Sequence, residues 1–252
     1  MQNVQTLVTE LIEAVRFLTI IPLPDRGKKV DLARAMFFFP FVGLLIGVLS
    51  LLIVHSLSLY VFVRLEALAL ITLPILLTGG LHVDGFADFC DGFFGGKKKE
   101  DVLRIMRDSR VGVWGALGVV LLLFWKWELL ASLSGRDGVL LFSLTASRWA
   151  QVVLSYFLPY ANPKAGVGEA VAKKVKLHEL TGATGFVVAV IFFMRGSGVL
   201  CFLALFPFLA AVGFYFKKRV GGITGDLLGA ASEATELFLF FVFFLIRSVN
   251  YR

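Results

Sequence analysis

Charge is scarce in this 252-residue sequence: 17% of residues are Asp, Glu, Lys or Arg, against 58% hydrophobic. So little charge cannot clothe a soluble surface, and a mean hydropathy of +0.84 excludes the ordinary soluble globular class. Cysteine is scarcer still. Cys90 and Cys201 are the only two, far apart and without metal-type spacing, so neither a disulfide framework nor a thiolate zinc site is indicated. The opening MQNVQTLVTELIEAVRFLTIIPLP lacks a basic n-region followed by an unbroken apolar core, because Glu10, Glu13 and Arg16 interrupt it. A cleavable signal is not indicated. No internal repeat or low-complexity linker divides the chain, and residues 1–252 read as a single integral membrane domain.

What the sequence does have is long apolar runs. Candidate spans are Phe37 to Val63, Glu66 to Leu81, Val111 to Leu133, Gly138 to Tyr160, Thr181 to Met194, Ser197 to Phe216 and Leu227 to Ile246. Most approach the roughly 20 residues that carry a helix across about 30 Å of hydrocarbon; the fifth is short. The expected fold is all-α, a polytopic transmembrane helix bundle of about seven spans, or six if the fifth does not cross. Ahead of it, in the segment 1–36, Val4, Leu7, Val8, Leu11, Val15 and Leu18 recur at helical spacing and predict an amphipathic helix on the membrane surface.

The net charge of +7 does not mark a nucleic-acid partner, because Lys and Arg in a membrane protein mainly report loop sidedness. Most basic residues fall in alternate loops: Arg16, Arg26, Lys28, Lys29 and Arg34, then Lys97 to Arg110, then Lys164, Lys173, Lys174 and Lys176, then Lys217 to Arg219. The positive-inside rule makes that face cytoplasmic and predicts a multi-pass protein of the cytoplasmic (inner) membrane. Removing the fifth span would move KKRVGGITGD to the other side and spoil the asymmetry. The phenylalanines, 26 in all, read as lipid-facing and packing surface.

The acids gather at two places. In TGGLHVDGFADFCDGFFGG, Asp84, Asp88 and Asp91 stand at i, i+4 and i+7; if the second span continues as a helix, they share one side of it. Adjacent anions repel, and a hard divalent cation such as Mg²⁺ would relieve that repulsion. A solvated helix end, or pairing with Lys97 to Lys99, is the plain alternative. Downstream, Arg104, Arg107 and Arg110 suit an anionic substrate, although topology and lipid headgroups explain basic residues there too. Asp108 reads equally as a further ligand or as the arginines' counter-ion, and His82 as a substrate contact or a structural residue.

The second cluster is GGITGDLLGAASEATE, where Asp226, Glu233 and Glu236 share a helical stripe. Ionisable groups at such depth face a polar interior by default. Arg148, inside the fourth span, is a plausible partner, and a purely structural Arg148–glutamate pair is the alternative. Lys126, between Trp125 and Trp127, is accounted for by snorkelling and aromatic anchoring, and His55 and His178 sit in no motif.

These residues resemble the cobalamin synthase family. The likeness covers nearly the whole chain and is carried, in order, by FLTIIPLP (Phe17 to Pro24), FFPFVGLLIG (Phe38 to Gly47), TGGLHVDGFADFCDG (Thr78 to Gly92), MRDSRVGVWG (Met106 to Gly115) and GGITGDLLGAASEATE (Gly221 to Glu236). Two departures are visible. Ile20 stands where relatives commonly carry Arg, and Phe89 and Cys90 stand where they carry small or polar residues. The resemblance implies that adenosylcobinamide-GDP and alpha-ribazole, or its 5'-phosphate, are joined with release of GMP, using Mg²⁺.

The site the resemblance implies places Asp84, Asp88 and Asp91 at the metal, and one of these or Asp108 as general base. Arg104, Arg107 and Arg110 would lie on phosphates, Asp226, Glu233 and Glu236 would line the corrinoid or nucleoside side of the cavity or complete the metal site, and His82 and Arg148 would contact substrate. A homo-oligomer is compatible with the sequence. Two rivals are weighed. In a CDP-alcohol phosphotransferase, D-x2-D-G-x2-A-R matches Asp88, Asp91 and Gly92, but Gly95 and Gly96 replace Ala and Arg. In a transporter, Glu233, Glu236 and Arg148 would line an ion path.

Overall fold

The structure is a computed structural model describing residues 4–24, 31–57, 62–133, 136–161, 175–194 and 197–250. Arg26, Lys28, Lys29, Lys164, Lys173 and Lys174, used in the charge argument, lie outside these. The helices are α1 (Val4–Leu18), α2 (Leu32–Ala35, continued by a 3-10 turn, Met36–Phe38), α3 (Phe39–Leu57), α4 (Val63–Leu77), α5 (Leu81–Gly95), α6 (Lys99–Ile105), α7 (Val113–Ser132), α8 (Arg136–Phe157), α9 (Leu177–Phe193), α10 (Ser197–Val220) and α11 (Gly225–Asn250). The all-α bundle expected from the hydropathy is what the chain forms, and no strand occurs among the described residues.

The centre of the bundle is α8, four-fifths of whose apolar window is buried (83%), by α3, α9 and α11. Its core face carries not only Leu140, Phe142 and Leu144 but also Ser143, Thr145, Ser147, Arg148 and Gln151, so polar groups are enclosed by helices rather than exposed to lipid. By contrast α7 and α10 bury only 28% of their windows, and Phe124, Phe206 and Phe214 point outward, as expected of lipid-facing phenylalanines.

Contacts at the helix termini sort the ends of the bundle. At one end His55 Nε2 meets Asp137 Oδ2 at 3.1 Å, Arg136 meets Glu66 at 3.4 Å, and Trp127 Nε1–H donates to the Arg64 carbonyl at 2.9 Å. At the other, Arg219 donates to the carbonyls of Phe93, Gly96 and Lys97, and the Ile223 N–H donates to Pro159 at 2.9 Å. The short helix α9 joins the two. His178 near its start stacks on Phe37, with centroids 5.3 Å apart, while Met194 just past its end lies beside Gly138 at the start of α8. Its 17 residues reach about 25 Å, enough for a thin or tilted crossing. Helices α3, α4, α7, α8, α9, α10 and α11 therefore run alternately between the two ends. Among the described residues five helices, α3 being counted with α2 and the 3-10 turn, are long and apolar enough to cross a membrane, or six with α4 and α5 counted as one bent span.

One expectation is corrected by the packing, and one is filled in. The second span does not continue straight into the acidic segment. It ends at Leu77, and Gly79 and Gly80, both left-handed (φ 60° and 76°), close a Schellman turn in which the Gly80 N–H donates to Ile75 and the Gly79 N–H to Leu76. The next helix, α5, leaves at 91°. The stripe on α1 is also divided: Val15 and Leu18 are buried in the bundle, while Val4 and Val8 stay exposed, which suits a helix lying between the bundle and the membrane surface.

Candidate active site

The acidic segment becomes a site because α5 and α11 touch backbone to backbone. A Cβ on Gly85 would lie 2.7 Å from the Asp226 carbonyl oxygen, and one on Gly229 3.3 Å from His82 Cα. Only small residues permit that approach. The start of α11 is fixed as well: Thr224 Oγ1 accepts from the Leu227 N–H at 3.2 Å as an N-cap, and Ile223 is strapped to Pro159 and Ala161 at the end of α8. Asp226 is thereby brought against the stripe on α5, so that the charges surrounding Asp88 are those of Asp226, Asp84 and Asp91.

The sequence trio is separated by this packing. Asp84 is exposed and Asp88 half-buried, and among the described residues no basic group ion-pairs with either. Asp91 is buried and already engaged: Gly112 N–H donates to its Oδ2 at 2.7 Å and Gly115 N–H to its Oδ1 at 2.8 Å. A carboxylate from α5 thus caps α7, opposite the positive end of that helix dipole. Any Cβ on Gly112 or Gly115 would collide with Asp91, so MRDSRVGVWG has glycines where this cap requires them. Asp91 is thus engaged as a helix cap, and Asp226 joins Asp84 and Asp88 in the more open cluster.

Among the described residues no three His, Cys, Asp or Glu side chains already surround one point at metal distance. The available oxygens are nevertheless of the right kind. Asp84, Asp88 and Asp226 are hard donors crowded without a cationic partner at ion-pair distance, and Mg²⁺ is commonly held by only one or two carboxylates together with water and substrate phosphates. The residues present therefore fit such an ion.

The arginines do different things. Arg107 is exposed and is the guanidinium whose field reaches Asp226. Arg104 pairs with Asp101 at 3.7 Å on the surface of α6. Arg110 is held by Asp108 through Nε (3.0 Å) and Nη2 (2.7 Å); these hydrogen bonds lower the Asp108 carboxyl to about 2. So acidic a group is a poor base near neutral pH, and Asp108 is the counter-ion of Arg110.

Deeper in the bundle lies a closed ionic network. Glu236 accepts from Arg148, from Ser147 Oγ at 3.0 Å and from Lys126 Nζ at 2.6 Å; Lys126 also reaches Glu233 at 2.5 Å. All four charged side chains are buried, and they balance two against two. The Arg148–glutamate partnership expected from sequence is present. The snorkelling account of Lys126 is corrected: its ammonium turns inward, only 3% of the residue being exposed. A cation within an apolar span is itself the signal for an interior partner, but the flanking tryptophans suggested a membrane-interface anchor. His82 extends the network, with Nδ1 3.4 Å from Arg148 Nη2.

The network and the acidic cluster flank a cavity of about 280 Å³, lined by α1 to α3, the start of α5, Gln151 of α8 and the first turn of α11. Gln151, three residues beyond Arg148, is polar within an apolar span, a signal of the same kind as Arg148 that the sequence reading passed over. The departures near the site are packed in: Ile20 lies over the Gly79 turn, Cys90 against Gly118, and Phe89 against Phe93 and Phe216.

The multi-pass helical bundle thus gathers carboxylates and guanidinium groups at one end, beside a small cavity. The sequence pattern of the cobalamin-5-phosphate synthase family matches residues 10–244, and the chain belongs to that family. It is 35% identical over 242 residues to an adenosylcobinamide-GDP ribazoletransferase of Chlorobaculum parvum, covering 94% of this chain and 95% of that protein. It is 36% identical to the protein of that name in Chlorobium chlorochromatii (90% and 92% covered) and 33% identical to that of Shewanella baltica strain OS185 (94% and 94%). No solved structure matches the chain.

Proposed function

We propose that this protein is an adenosylcobinamide-GDP ribazoletransferase of the cytoplasmic membrane, joining adenosylcobinamide-GDP to alpha-ribazole, or its 5'-phosphate, with release of GMP. The observation that carries this reading is the near full-length similarity to relatives of that name. An acidic cluster with a basic rim at one end of the bundle is what such chemistry needs. The positive-inside rule turns that end to the cytoplasm, where nucleotide substrates are found.

In the reaction, a hydroxyl oxygen of the ribazole attacks the phosphorus that carries the cobinamide. A new P–O bond forms, the P–O bond to the GMP phosphate breaks, and GMP leaves with its electron pair. The hydroxyl proton passes to a carboxylate of the Asp84, Asp88 and Asp226 cluster. Asp84, Asp88 and Asp226 would hold Mg²⁺, which when bound neutralises charge on the pyrophosphate. Arg107, exposed beside the cluster, binds phosphate oxygens, as guanidinium does well. Asp91 holds the start of α7 in place, and Arg219 holds the end of α5, so both edges of the cluster are rigid. Catalysis here is mainly positioning and electrostatics, as for phosphoryl transfer generally.

The transporter reading loses its basis in Glu233, Glu236 and Arg148, since Lys126 closes them into a neutral network. The test is release of GMP from adenosylcobinamide-GDP by purified protein, expected only with alpha-ribazole and a divalent cation both present. Folded protein that releases none under those conditions refutes the assignment.

A further inference from the structure

The cavity beside the acidic cluster contains two buried donors that the transfer step leaves unused. His82 and Gln151 both line it and are 2% and 3% exposed. Yet among the described residues His82 Nε2 and Gln151 Nε2 have no hydrogen-bond partner. The tautomer of His82 follows from its other nitrogen: Arg148 Nη2 stands 3.4 Å from Nδ1, and a guanidinium can only donate. Nδ1 therefore accepts, and the proton sits on Nε2. Two buried N–H groups without acceptors destabilise the empty cavity, and a ligand bringing two acceptors would remove that cost.

The rest of the lining narrows the ligand. Phe17, Leu32, Met36 and Phe39 of α1 to α3 supply apolar surface, and Asp84 and Asp226 supply carboxylates. The volume, about 280 Å³, is near the lower end of the roughly 300–1,000 Å³ of small-molecule sites. It is far too small for a corrinoid bearing a nucleotide. A nucleoside with a flat, apolar base and ribose oxygens meets every wall correctly.

We propose that this cavity is the subsite of the acceptor nucleoside. Its base packs against Phe17, Leu32, Met36 and Phe39; His82 Nε2–H and the Gln151 amide donate to its acceptor atoms; and its ribose hydroxyls face Asp84 and Asp226. This inference rests on the ribazoletransferase reading above.

The test uses full-length protein in nanodiscs, titrated with alpha-ribazole alone by calorimetry, with GMP release followed in parallel. Wild type is expected to bind the nucleoside without the corrinoid substrate. Gln151→Leu and His82→Phe should each weaken that binding about tenfold, as loss of one hydrogen bond does. Both should raise KM for alpha-ribazole and leave KM for adenosylcobinamide-GDP unchanged. His82→Gln, which can place an N–H near the same point, should recover most of the loss. Should His82→Phe fail to fold, Phe17→Trp, at a half-exposed wall position, tests the same cavity by filling it and should block the nucleoside.

Normal GMP release by wild type with alpha-ribazole affinity unchanged in these variants would overturn the subsite and leave the transferase standing. So would a rise in KM for the corrinoid substrate instead. Nucleoside binding that responds to the variants, in a protein that never releases GMP, would support the subsite and refute the transferase reading.

Discussion

Replacing Lys126 by Met tests whether the buried network holds the bundle together. The substitution keeps the length and most of the volume of the side chain, but removes the cation bonded to Glu233 at 2.5 Å and Glu236 at 2.6 Å. Arg148 then faces two buried carboxylates alone. Breaking a buried ion pair by removing one partner costs about 3–5 kcal/mol. For a chain of this size each kcal/mol lowers Tm by roughly 2–4 °C, so the expected fall is about 6–20 °C. The assay is thermal unfolding in detergent followed by tryptophan fluorescence, with Lys218→Met on the exposed end of α10 as control. Lys126→Met combined with Glu233→Gln restores charge balance and should recover more than half of the loss. A fall no larger than the control's, or a double variant no more stable than Lys126→Met, would refute the claim that the network is closed and structural.

Other outcomes follow from the same geometry. Asp91→Ala leaves the Gly112 and Gly115 N–H groups without their acceptor; it should cost about 2 kcal/mol and lower Tm by roughly 4–8 °C, seen by the same unfolding assay. Asp84→Asn and Asp88→Asn should instead leave Tm near wild type while GMP release falls by about 10²-fold or more, a split between stability and rate that Asp91 variants will not show. Gly85→Leu should abolish GMP release in protein that still inserts, because its side chain must displace the Asp226 backbone 2.7 Å from its Cβ. Asp108 falls from 3.8 to about 2 in the folded chain, so its pairing with Arg110 is complete above about pH 4 and is lost only as the pH drops toward 2. An acid limb of the pH–rate profile above pH 4 therefore belongs to another group and should persist in Asp108→Asn.

By itself the sequence determined the class of the protein and picked out the acidic segments from which the candidate site is built. Hydropathy requires a membrane bundle because backbone polar groups in hydrocarbon must be satisfied within helices, and the acids at Asp84, Asp88 and Asp226 stand out because charge is otherwise rare. Within one helix the i, i+4, i+7 spacing is local information, and it placed the α5 carboxylates on one face correctly. Which of them stay available was decided only in three dimensions. Asp91 is taken by the amide groups of Gly112 and Gly115, and Asp226 arrives from the far end of the chain because Gly85 and Gly229 allow two backbones to meet. Lys126 looked like a surface anchor beside its tryptophans until Glu233 and Glu236 were brought opposite it. The pairing of a charge depends on what faces it across a helix interface, and one-dimensional spacing does not record that.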